Sequence, residues 1–329
     1  MKRRTGWLAS CTGLALTLAA AAADERFGMF LQLNRDLATR DAAAWREDFD
    51  RMKAIGVARV LVQCTAEVPI SYVRCDLPFA EQYDVVPIVL AEAERTGMEV
   101  YLGLQSDRSY WTRITAPDVV LRDYFYVRVA ANERLQDALL ERFATNQAWT
   151  GYYIPDEIDD VSWRAPERGA ALRRYLQTLV ERLRSRDTKR HIAVSAFFRT
   201  RTSPLRVAGT FGDLVAGTGV QHLLLQDGAG EENPPAKLRN LYATTIRGAW
   251  TNTVPDLWAV AEVFRRTDAG TNATVYTAES ASPAEVAEQI RIASASFTQT
   301  VFFAYHPYID PKGNGKASTL YDWFRDRRR

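Results

Sequence analysis

The stretch GYYIPDEID, residues 151–159, decides how this chain is read. Its first five residues are apolar or small with no polar alternation, the mark of a strand buried on both faces. Two acids, Asp156 and Glu157, then end the run. A helix-spaced segment precedes it near 132–147, and one rich in Leu and Arg follows at 166–186. A buried strand set between helices is the repeating unit of a parallel sheet.

The unit recurs outward in both directions. Strand-like runs stand at 27–34, 59–64, 99–105, 191–197, 222–226, 257–263 and 300–305. Helical segments fall at 42–55, 85–96, 204–215, 236–252 and 283–296, with a terminal one near 320–327. Gly56 and Gly97 stand where a helix ends, as C-terminal caps do. Eight β/α units in 329 residues predict one domain, a single (β/α)8 barrel. An open doubly wound sheet would call for a glycine-rich phosphate turn after the first strand. That strand instead ends Asn34-Arg35-Asp36.

Composition agrees with a globular chain: 47% hydrophobic, 25% charged, 42 basic against 40 acidic residues, net charge +2. No excess of positive charge points to nucleic acid as a partner. Residues 1–23 place Lys2, Arg3 and Arg4 before a small and apolar run that ends in alanines, the layout of a secretory signal peptide cleaved near Ala23. Its strongly apolar part is short for a membrane span. The expectation is therefore a mature domain of 24–329, without a membrane span, monomeric, and periplasmic or secreted. The sequence LASC at 8–11 resembles a lipobox and leaves a lipoprotein anchored through Cys11 as the alternative. In an exported chain the remaining Cys64 and Cys75 suggest a disulfide.

A barrel places its functional groups where strands end. The ends here carry Asn34, Gln63, Gln105, Asp156-Glu157, Gln226-Asp227, Glu262 and Tyr305-His306. Amides, carboxylates, Tyr and His with few lysines suit a neutral, hydroxyl-rich ligand better than a phosphate. Glu157 ends the fourth strand and Glu262 the seventh. Two carboxyls in one mouth can divide labour: one protonates a leaving oxygen, the other attacks or stabilises the cation that develops.

These positions resemble the clan-A glycoside hydrolases, retaining (β/α)8 enzymes whose acid/base Glu ends strand four and whose nucleophilic Glu ends strand seven. The combination GYYIPDEID, LLLQDG, LWAVAEVF and FFAYHPY is similar to an uncharacterised bacterial family of glycosidase-like barrels, over roughly 27–323. The resemblance implies Glu157 as acid/base and Glu262 as nucleophile. Asn34, Gln105, Asp156, Gln226, Asp227, Tyr305 and His306 would orient sugar hydroxyls, and Trp111 and Trp163 would stack on sugar rings. The clan has Asn where this chain has Asp156. An acid there would raise a neighbouring carboxyl.

Competing readings stand beside these. Glu157 could belong to a solvated acidic loop with Asp159 and Asp160, and Glu262 could pair with Arg265 or Arg266. Glu279 would be the nucleophile if TVYTAES were the seventh strand. His191 and His222 start strands and read as structural. No cofactor and no metal site is expected. The expected function is an exported hydrolase of a bacterial or cell-surface polysaccharide. The rival is a non-catalytic glycan-binding barrel associated with exopolysaccharide export.

Overall fold

A computed structural model describes residues 26–251, 254–268, 277–313 and 315–329. The segment read as a signal peptide, with Cys11, lies outside the described residues. Eight parallel strands close into a barrel: β1 Phe27–Leu31, β2 Val57–Val62, β3 Glu99–Gly103, β4 Trp149–Asp159, β5 His191–Phe197, β6 His222–Gln226, β7 Asp256–Glu262 and β8 Gln299–Phe303. Each pairs with its neighbour in sequence, and β8 returns to β1, with Gly28 beside Val301. Helices α1 Ala42–Ala54, α2 Val86–Thr96, α3 Asp118–Phe143, α4 Pro166–Arg186, α5 Pro204–Val215, α6 Ala236–Ala249, α7 Pro283–Ser296 and α8 Ala317–Asp326 surround it. The single (β/α)8 barrel expected from the sequence is what the chain forms. Among the described residues no helix is long and apolar enough to cross a membrane.

Alternation along the strands sorts side chains into two cores. Phe30, Leu61, Tyr101, Tyr153, Ala193, Leu224, Trp258 and Val301 fill the lumen. Their neighbours, such as Met29, Val60, Leu102, Ile154 and Leu223, pack under the helices. The lumen is thus a solid plug, and chemistry is possible only above it. Tyr153 marks the upper part of the plug, its hydroxyl donating to Ser195 Oγ at 2.8 Å. His222 lies at the other end, stacked on Trp258 at 4.1 Å, and burial pushes its imidazole down to about 4, so it is neutral. His191 lies beside it, 5.2 Å away between ring centroids.

Local signals set the helix ends. Gly97 closes α2 in the left-handed region at φ 73°, where a side chain would be strained. Ser282 and Glu285 form a capping box on α7, with Pro283 in its first turn. Two expectations fail. The helix expected at 132–147 starts at Asp118, so the aromatic segment after β3 is largely helical, and its exposed Tyr126 and Val127 carry no sequence sign of that. The disulfide is not formed: Cys64 is a buried thiol pushed up to about 12 by burial, and Cys75 lies in the next loop with its N–H on Gln82. Nearness in sequence did not bring the sulfurs together, because Cys64 is part of the packed core.

Candidate active site

The inward alternation of the lumen continues above the plug. On β6 it runs through Leu224 to Gln226, on β7 through Trp258 and Val260 to Glu262, and on β5 through Ala193 and Ser195 to Phe197. On β4 a bulge between Ile154 and Ile158 interrupts the pairing with β5, and Glu157 lies within it. The four strand ends therefore converge on one mouth.

Glu157 and Gln226 meet directly. Gln226 Nε2 donates to Glu157 Oε1 at 2.7 Å. Tyr110, buried on the short helix Tyr110–Arg113, donates its hydroxyl to the Glu157 carbonyl at 2.9 Å. Burial pushes the Glu157 carboxyl up to about 7, opposed only by the Gln226 amide. The like-charge effect expected from Asp156 is absent from its causes. Asp156 points the other way. It is buried among the helices, and Arg128 Nη2 donates to both its oxygens at 2.8 and 2.9 Å while the Tyr175 hydroxyl caps it.

Glu262 is 5% exposed at the end of β7, and Phe303 of β8 is its register partner. Its Oε2 accepts backbone N–H groups from Gly230 at 2.7 Å and Glu231 at 3.3 Å. The loop can approach this closely because residue 230 is glycine: a Cβ there would stand 2.4 Å from the Phe264 ring. Burial, and then the neighbouring Asp227, push the Glu262 carboxyl up, and the two N–H groups pull it back. The arginines that competed for it are engaged elsewhere. Arg265 bonds Glu285 and the Ala229 carbonyl, and Arg266 bonds Asp268 and Glu231. Glu279 is on a small antiparallel ribbon, Phe264–Arg266 with Ala278–Ser280, beyond the end of β7, and pairs with Lys316 at 2.5 Å. The excursion takes it off the barrel strand.

The structure keeps some expected contacts and removes others. Trp111 is 44% exposed and leans edge-on against Phe197 at 5.4 Å, a free aromatic face beside the mouth. The Gln105 backbone is anchored by Asn132 and Arg128. Asn34 is a helix cap, its Oδ1 accepting from Leu37 N–H at 2.9 Å. Asp156, Trp163, Tyr305 and His306 leave the ligand set because packing consumes them. Trp163 is 2% exposed and stacked on Phe125, and Tyr305 is fully buried against His306. His306 sits between Asp48 at 3.1 Å and Asp310 at 3.0 Å. Burial lowers its pKa, but the two carboxylates outweigh burial and the net shift is upward. Asp227 also turns from the mouth, toward Arg239 and Gln289.

Asp48, His306 and Asp310 are the described cluster that could gather donor atoms around a cation. Arg40 already lies 2.6 Å from Asp48, and Arg51 lies 3.7 Å from both carboxylates. Positive charge there comes from guanidinium and imidazole, so the residues do not fit a metal. Sequence reasoning placed Gln63 at a strand end but missed its partner Gln32, joined to it at 2.7 Å between the ends of β1 and β2, although inward alternation from Phe30 and Leu61 leads to both. Phe197 and Phe303 were reachable by the same rule.

Residues 27–315 match the family described as "Domain of unknown function (DUF4434)", and the chain belongs to it. It is 28% identical over 214 residues to the "Uncharacterized protein YbcH" of Escherichia coli strain K12, covering 65% of this chain and 69% of that one. Among solved structures it is similar to a putative alpha-L-fucosidase from Bacteroides thetaiotaomicron VPI-5482, with 17% identity, TM-score 0.69 and 99% of both chains covered. It is similar to a beta-galactosidase from Marinomonas ef1, with 11% identity and TM-score 0.57 over 91% of this chain and 58% of that one. A third is a thermostable mutant of a Cellvibrio japonicus xylanase, with 10% identity and TM-score 0.53 over 93% and 99%. These likenesses establish a glycosidase-like barrel fold.

Proposed function

We propose that this chain is a retaining glycoside hydrolase with Glu157 as general acid/base and Glu262 as nucleophile. The observation that carries the reading is the pair of inward carboxyls on β4 and β7, set in unlike surroundings. Burial pushes Glu157 up to about 7, so about half of it is protonated at neutral pH and can give that proton to a leaving oxygen. Burial and Asp227 push Glu262 up, to about 8, while two backbone N–H donors oppose that shift and orient the carboxyl, which attacks the anomeric carbon in its ionised form. Glu157 protonates the glycosidic oxygen as the bond from it to the anomeric carbon breaks and Glu262 forms a glycosyl ester; water, giving its proton to Glu157, then cleaves that ester and frees Glu262. Gln226 positions the acid. Gln32, Gln63 and Gln105 would meet hydroxyls, and Trp111 would stack on a sugar ring.

Glu262→Gln and Glu157→Gln should each reduce turnover of aryl glycosides by three orders of magnitude or more while glycan binding persists. Wild-type activity should be bell-shaped in pH, falling on the alkaline side as Glu157 loses its proton and on the acid side as Glu262 gains one. Unchanged turnover in Glu262→Gln would remove it as nucleophile. Binding without turnover by the wild type, across a panel of glycans, would favour the non-catalytic glycan-binding barrel.

The substrate class in this reading is a bacterial or cell-surface polysaccharide reached by export. Support for export is the signal-peptide layout of residues 1–23. N-terminal sequencing of the mature protein should begin near Asp24. A lipid-modified start at Cys11 would make it an anchored lipoprotein instead.

A further inference from the structure

Behind the mouth, Asp227 leaves β6 on the side opposite Gln226. Its Oδ1 accepts the backbone N–H of Glu262 at 3.2 Å and of Ala229 at 3.0 Å. Its Oδ2 accepts from Gln289 Nε2 at 2.7 Å and faces Arg239 Nη1 at 3.4 Å. Gln289, buried on α7, spends its other amide hydrogen on the Glu262 carbonyl at 2.9 Å. The peptide of Glu262 is therefore held at its N–H by Asp227 and at its C=O by Gln289. The loop that starts at Asp227 holds the Glu262 side chain through Gly230 and Glu231. A cavity of about 30 Å³, lined by Asp227, Arg239, Gln289 and Phe198, adjoins the unit. It has room for about one water molecule.

We propose that Asp227, tethered by Arg239 of α6 and Gln289 of α7, is a positioning residue that fixes Glu262 in the mouth and ties it to the outer helices. The inference rests on the reading of Glu262 as nucleophile. Asp227 acts through Glu262, by the hydrogen bonds that hold its peptide. It also acts through charge. The groups facing Glu262 are Asp227 and Glu231, the N–H groups of Gly230 and Glu231, and the Tyr308 hydroxyl, which burial and then Glu231 and Glu262 raise. Arg265 is nearby but committed to Glu285 and Ala229. Of the two acids Asp227 has the larger effect on Glu262, and the long Arg239 contact leaves that charge only partly balanced.

The test is a ¹³C-carboxyl NMR titration of the full chain labelled in Glu, with the Glu262 signal assigned by its loss in Glu262→Gln. Asp227→Asn should lower the Glu262 midpoint by about one pH unit or more, since it removes a like charge and keeps an acceptor oxygen. Arg239→Met should raise it, since Asp227 is then less balanced. A purely structural role does not produce opposite shifts from two neighbours. Midpoints that stay put, or move together, overturn the proposal. If Asp227→Asn fails to fold, Arg239→Met decides alone: a rise supports the proposal and no movement overturns it. Full turnover in Glu262→Gln beside the opposite shifts would leave the clamp standing and sink the nucleophile assignment instead.

Discussion

The two sides of the mouth each carry an Asp next to a functional Glu candidate, and the structure uses them in opposite ways. On β4, Asp156 is bound at both oxygens by Arg128 and capped by Tyr175, inside the helix layer. Its charge is countered there by Arg128, and the rise at Glu157 comes from burial rather than from Asp156. Across the mouth, Asp227 has Arg239 at only 3.4 Å, and its charge is the second cause of the rise at Glu262. Nearness in sequence does not decide whether one acid perturbs another. The quality of the counter-ion and the side of the barrel wall do.

The largest effect that would break this comparison is at Asp156. Asp156→Ala leaves Arg128 buried without its partner and should destabilise the fold by about 3–5 kcal/mol, measured by denaturant unfolding. The gentler Asp156→Asn should leave the Glu157 titration midpoint where it is. A shift of a full unit there would mean that Asp156 acts as a charge after all, and the two sides would no longer differ.

A smaller effect sharpens the Glu157 side. Folded Glu157 keeps its proton to about pH 7, while the unfolded carboxyl releases it near 4.5. The folded state binds more protons between these values, so its stability falls as pH rises through that window. Glu157→Gln has no proton to lose. Relative to wild type it should gain on the order of 1–3 kcal/mol between pH 4.5 and pH 8. A difference that does not change with pH would show that Glu157 titrates normally.

Much of this was legible in the chain. The buried strand runs gave the eight barrel strands to within a few residues at most ends. Continuous apolar runs bounded by Gly, Pro and polar residues have few other uses. The strand ends also pointed to Glu157, Glu262, Gln226 and Trp111, all of which the barrel brings to the mouth. The errors share one cause. Asp156, Trp163, Tyr305 and His306 are polar or aromatic residues near strand ends, and the sequence places them at the right height. Whether such a residue faces the lumen or the helix layer depends on alternation through the β4 bulge and on partners distant in sequence, Arg128 28 residues away and Asp48 258 away. Distant partners also hid the arginines that neutralise each acid, and the core packing of Cys64 undid the expected Cys64–Cys75 disulfide.

Local sequence therefore determined the secondary structure, the barrel and the height at which each strand ends, because hydrophobic periodicity and caps act over a few residues. Tertiary structure alone decided which acids share the mouth, which are neutralised behind it, and which helix holds Glu262 in place, because counter-ions and hydrogen-bond partners are supplied by segments the folded chain brings together.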